Sequence, residues 1–155
     1  MLKTLRELFD GLRESRADDV REDAQALRLA CAVLLVEVMR ADPEITENER
    51  RAVLDALRRR FPGADEELAA LVAEAEQASR SASDFHQFTS QLNLQLDQPA
   101  KIAVVETLWQ VAYADGAIGA HENHVISRIA GLLHVTHGEY IAAKLHARQA
   151  NAGGL

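Results

Sequence analysis

The chain has 155 residues, 48% of them hydrophobic, enough for one domain whose core needs no disulfide or metal staple. Its 24 acidic residues against 17 basic give a net charge of -7, which opposes nucleic acid and anionic membrane surfaces as partners. Cys31 is the single cysteine and lies in the apolar run 29–36, so a disulfide framework is excluded and a buried thiol in a reducing compartment is expected.

The N-terminal residues Leu2, Leu5, Leu8, Phe9 and Leu12 fall at helical spacing, interrupted by charges, which describes a short amphipathic helix rather than a signal-peptide core. Residues 15–23 are charged and poor in large apolar side chains and read as a linker. No uncharged run is long enough to span a bilayer, so a cytoplasmic protein without membrane insertion is expected.

Residues 24–41 form a nearly continuous apolar helix, with Leu27, Cys31, Leu34, Leu35 and Val38 on one face, and must be central. Pro43 disfavours helical backbone at Asp42 and ends it. Thr46 with Glu49 three residues on is a capping box, opening a helix that buries Val53, Leu54, Leu57 and Phe61 before Pro62-Gly63 closes it. An alanine-rich helix over 65–79 buries Leu68, Leu71, Val72 and Ala75. Ser81 with Asp84 reads as the start of the next, through Phe85, Phe88, Leu92 and Leu96.

Asp97 two residues before Pro99 is an N-cap with proline in the first turn, leading into a helix with Ile102, Val105, Leu108, Trp109 and Ala112 inward. After the Asp115-Gly116 turn, Val125, Ile126, Ile129, Leu132 and Leu133 line another helix, with His134 completing its core-facing end. Thr136 with Glu139 is a last capping box, before Tyr140, Ile141 and Leu145. The expected fold is all-α, a single domain of about eight helices: an amphipathic helix and linker over 1–23, a helical domain over 24–150, and a fraying tail over 151–155.

The chain contains a duplication. A shift of seventy-three residues lays Ala41-Asp42 on Ala114-Asp115, Ile45 on Ile118, Glu49 on Glu122, Val53 on Ile126, Val38 on Val111 and Leu35 on Leu108. Two helix-turn-helix units related by a pseudo-two-fold axis follow, each carrying an aspartate and a glutamate at its turn. Asp115 to Glu122 resembles the second half of a calcium loop, but the first and third ligand positions of that loop would fall on Val111 and Tyr113, which excludes a standard EF-hand.

On one straight helix Asp115 and Glu122 would stand ~10 Å apart and share no ion. If the turns converge across the axis, Asp42, Glu49, Asp115 and Glu122 make a four-carboxylate cluster that a divalent cation, Arg50 or His121 would have to neutralise. His121 and Glu44 are additional candidate ligands. The bland alternative is that the aspartates satisfy turn amides and the glutamates only cap their helices. His121 and His124 with Asp115 form a weaker transition-metal pattern, and solvent-exposed helical histidines explain them as well. Phosphate loops, nucleophile elbows and cysteine-histidine pairs are absent from the sequence.

The segment from Leu108-Trp109 through Ala114-Asp115-Gly116, with His121-Glu122 and Ile129 to Val135, resembles the TerB family of tellurite-resistance-associated proteins. The upstream Glu37 to Asp42 and Glu49 resemble the first repeat of that family. The resemblance implies an all-helical domain with internal two-fold pseudosymmetry, also found in the N-terminal domain of a DnaJ-like membrane co-chaperone. It further implies a link to tellurite and other stresses, and a metal-binding role that lands on Asp42, Glu49, Asp115 and Glu122. Pro43 departs from the family, replacing the glycine of the first turn.

The expected function is that of a non-enzymatic stress-response protein, binding calcium, magnesium, manganese or zinc through the paired turns and serving as an interaction module. Other proteins, a second copy of the chain among them, are the expected partners. A metal-free interaction or co-chaperone-like scaffold is the alternative, and a metal-dependent hydrolase stands behind it.

Overall fold

The computed structural model describes the backbone of residues 5–42, 46–82, 84–116 and 118–153, and side chains within 19–42, 46–82, 84–114, 116 and 118–150. Described residues are helical or in turns, with no strand among them. Seven α-helices follow in order: α1 (Leu5–Arg40), α2 (Glu47–Arg60), α3 (Asp65–Ser81), α4 (His86–Gln95), α5 (Gln98–Ala112), α6 (Ala120–Leu132) and α7 (His137–Gly153), with a short 3-10 helix, Tyr113–Asp115, after α5.

The first helix corrects the expected linker. Residues 15–23 continue α1, so the short amphipathic helix and the central helix are one element of 36 residues. The stretch contains no proline or glycine and is built of Arg, Glu, Asp and Ala, and an already nucleated helix extends through such residues at little cost. Residues 19–24 are exposed, and Gln95 at the end of α4 donates to the Asp23 carbonyl at 2.9 Å, tying this part of the helix to the body. At the other end of the chain, α7 runs through Asn151–Gly153, where a frayed tail is expected.

The C-terminal half of α1 is the centre of the molecule, with Ala32, Val33, Leu34, Val36 and Val38 fully buried. It packs on α2, α3, α4, α5 and α6, while α5 carries α6 and α7. Positions equated by the seventy-three-residue shift share environments: Leu35 with Leu108, Val38 with Val111 and Val53 with Ile126 are all buried. The α1–α2 and α5–α6 pairs thus pack as two related hairpins on a common core.

Local chemistry sets the boundaries. Thr46 caps α2 by accepting from the Glu49 amide at 3.3 Å, and Asp97 caps α5 by accepting from the Ala100 amide at 3.0 Å. Thr136 and Glu139 exchange both bonds of a capping box, at 2.9 and 3.2 Å. Ser81 does not open α4: it ends α3, donating to the Gln77 carbonyl, and Asp84 instead accepts from the His86 amide at 2.9 Å.

His134 is exposed rather than core-facing. Its φ of 61° places it in the left-handed region, and bonds from Val135 N to Ala130 O and from His134 N to Gly131 O close α6 as a Schellman motif. Ile141 and Leu145 also differ from expectation, being 36% and 50% exposed. The face of α7 that meets the body is Tyr140, Ala143 and Ala147, whose small alanines let α7 approach α5 closely.

Candidate metal centre

Each hairpin presents its turn at the same place relative to its own helices. In the first, α1 ends at Arg40, Asp42 follows in a bend, and α2 starts after Thr46. In the second, the 3-10 helix Tyr113–Asp115 ends α5, Gly116 reverses the chain with φ 93°, and α6 starts after Gly119. Gly116 occupies a backbone region that side-chain-bearing residues rarely adopt, whereas its counterpart in the first turn is Pro43.

Glu49 and Glu122 both stand at the third position of their helices, α2 and α6. Both are buried, 1% and 5% exposed, which is unusual for glutamates and identical in placement between the repeats. Negative charge in the first helical turn is favoured by the unsatisfied amides there, which offsets part of the cost of burial. Glu122 Oε1 stands 3.7 Å from where a Cβ on Gly119 would lie, so the side chain folds back over its own helix start.

The two hairpins meet at these acids. Carboxylate oxygens of Asp42, Glu49 and Glu122 all lie within 4.8 Å of one another, with Asp42 half-buried and the two glutamates buried. One hairpin supplies Asp42 and Glu49, and the other supplies Glu122. Oxygens ligating calcium at 2.3–2.6 Å are separated by up to about 5 Å across the ion, so three oxygens within 4.8 Å of one another are spaced on the scale of a single cation's ligand shell. The set is all oxygen, the donor type of hard cations rather than of zinc.

The other expected ligands are placed as follows. The Asp115 backbone ends the 3-10 helix at the position equivalent to Asp42, and its side chain lies outside the described residues. Glu44 is also outside them. His121 is exposed and is not part of the gathered set; it lines a cleft with Arg40, Ser79 and Arg128 instead. One residue on from it, Glu122 points about 100° away around the helix, into the acidic set. His124 is exposed as well. Arg50, the expected neutralising residue, pairs with Glu76 on α3 at 3.1 Å.

An aromatic group packs around Trp109 of α5. Trp109 is fully buried, its ring 5.3 Å from Tyr140 and 6.2 Å from Tyr113, with the Lys144 ammonium 4.9 Å over its face. These residues belong to the core, as the helical spacing predicts. Cys31 is likewise buried, and burial pushes its thiol up to about 11.

A family model described as tellurite resistance protein TerB matches residues 28–145. The chain belongs to the TerB family. The match spans both hairpins of this TerB domain and all three acids of the gathered set, and it begins inside α1, at the point where that helix becomes buried. Comparison with curated proteins and with solved structures gave no match. No helix among the described residues of the TerB chain is long and apolar enough to cross a membrane.

Proposed function

We propose that this TerB-family protein is a cytoplasmic, non-enzymatic stress-response protein of the tellurite-resistance type. In this reading it binds one hard divalent cation between its two hairpins and acts as an interaction module for other proteins. The observation that supports the cation is the gathering of Asp42, Glu49 and Glu122 within 4.8 Å, two of them buried and contributed by equivalent positions of a duplicated hairpin. Three carboxylates so close repel one another, and a shared cation converts that repulsion into attraction between the repeats.

In this reading Asp115 is the fourth ligand, by its equivalence to Asp42, and Glu44 adds an acid to the first turn. Calcium, magnesium and manganese suit the donor set better than zinc, since no imidazole or thiolate joins it among the described residues. The TerB family is not a known enzyme family, which favours binding over turnover.

Calorimetry on chelator-stripped protein with calcium, magnesium, manganese and zinc tests the proposal. Saturable binding of a hard cation, weakened at least about tenfold in Asp115→Ala and Glu122→Ala, is expected. Absence of binding by the parent chain to all four ions removes the cation from the reading.

A further inference from the structure

Beside the acidic set, a cleft of about 360 Å³ opens between the ends of α1 and α3, the start of α4 and one face of α6. Arg40, Arg80, Arg128 and His121 line it, on a chain whose net charge is -7. The acids in its wall are engaged by neighbours. Glu37 accepts from the hydroxyl of Ser79 and lies 3.7 Å from Arg40, while Asp84 accepts the His86 amide at 2.9 Å. Ser79, 5% exposed, also accepts from Arg40, so the floor of the cleft is a fixed Glu37–Ser79–Arg40 chain of hydrogen bonds.

Arg128 is the informative residue. Among the described residues it has no carboxylate partner. Its guanidinium instead lies over the Phe85 ring, 5.7 Å from the centroid, a contact that uses none of its N–H donors. Arg80, itself exposed, meets Glu76 on its own helix, donating to its carbonyl at 3.3 Å with its carboxylate 3.8 Å away.

Arg40 and Arg80 close to helix C-termini are explained by the negative dipole end there. That account does not reach Arg128, in the middle of α6. A planar arginine beside a second arginine and a histidine is an arrangement that recognises oxygen anions through paired N–H bonds. The cleft volume falls within the range of small-molecule sites.

We propose that this cleft binds a small oxyanion of phosphate size, held by Arg128, Arg80 and His121 over the Ser79–Arg40 floor. The anion site and the acidic set lie side by side at the same two turns: Ala41 and His121 line the cleft, and the next residues, Asp42 and Glu122, belong to the acids. The anion site does not rest on cation binding.

Amide chemical-shift titration of the full chain with sodium phosphate, in chelator and at constant ionic strength, tests it, with sulfate as a second probe and chloride as the control. Saturable shifts centred on Ser79, Arg80, His121 and Arg128 are expected. Arg128→Gln weakens binding by about tenfold or more, and Phe85→Leu weakens it less. If Arg128→Gln does not fold, Arg80→Gln, on an exposed side chain, carries the same test. Shifts that never saturate, shifts spread over basic residues elsewhere, or unchanged affinity in the folded arginine variants overturn the proposal. Calcium binding that persists when phosphate binding fails separates this result from failure of the cation reading.

Discussion

Replacing Glu122 with glutamine keeps the shape of the side chain and removes one of three negative charges from the acidic set. Each pair of carboxylates within 4.8 Å repels by about 3.5 kcal/mol at an effective dielectric constant of about 20. Neutralising Glu122 cancels two of the three pairs in the cation-free protein. Solvent around half-buried Asp42 reduces its share, and loss of negative charge from the first turn of α6 removes about 0.5 kcal/mol of favourable helix-end interaction. Asp42, Glu49 and Glu122 each have further interactions that take up part of this repulsion, so a net stabilisation of roughly 1–3 kcal/mol is expected, or about 2–10 °C in melting temperature for a chain of this length.

Excess cation reverses the order. The parent gains about 4.1 kcal/mol when free cation exceeds Kd by a thousandfold, and the variant, lacking a ligand charge, gains much less. Thermal melts followed by far-UV circular dichroism, with chelator and then with calcium, read both effects. Glu122→Gln melts above the parent in chelator and below it in calcium. A variant that melts below the parent in chelator, with an undiminished calcium shift, refutes the reasoning, because Glu122 would then be a helix cap whose charge the cation-free fold already compensates.

Three further outcomes follow from geometry outside the acidic set. His134→Gly relieves a side chain held at φ 61° in the α6 Schellman motif and raises stability by about 1 kcal/mol, read by urea denaturation. Glu139 is held below its ordinary value of 4.5 by the Thr136 amide and by Gln98 and the Thr136 hydroxyl. Its contribution is therefore present above that value and lost as pH falls through the lowered one, so Glu139→Gln flattens the acid side of the stability profile. Cys31, with its thiol raised to about 11, resists alkylation at neutral pH in the native protein and reacts at the rate of opening, measured by mass spectrometry across a denaturant series.

Much of the fold is readable from side-chain chemistry at particular positions. Thr46, Asp97 and Thr136 announce helix starts because their oxygens satisfy amides that nothing else in the chain reaches, and the structure uses all three. Residues 15–23 mislead because periodicity reports a buried face, and the exposed stretch 19–23 of α1 has none; the absence of proline and glycine is the signal that identifies the helix. Ile141 and Leu145 mislead for the opposite reason, since large apolar residues outweigh alanines in any periodicity reading although Ala143 and Ala147 make the contact.

In the candidate site, the duplication supplies the equivalence of Glu49 and Glu122, and the structure supplies their burial and the distance between hairpins. His121 is adjacent in sequence and absent from the set because one residue along a helix turns the side chain to another face. The arginine cleft has no local motif, its residues coming from α1, α3 and α6, so only the packed chain reveals it.

The central claim is that the two hairpins hold a single cation between them. Crystals of the chain grown with manganese, measured at the manganese absorption edge, test it most directly. The account predicts one anomalous peak at bonding distance from carboxylate oxygens of Asp42, Glu49 and Glu122. Well-ordered carboxylates at saturating manganese with no peak among them, bridged by protons or by a basic side chain instead, contradict it.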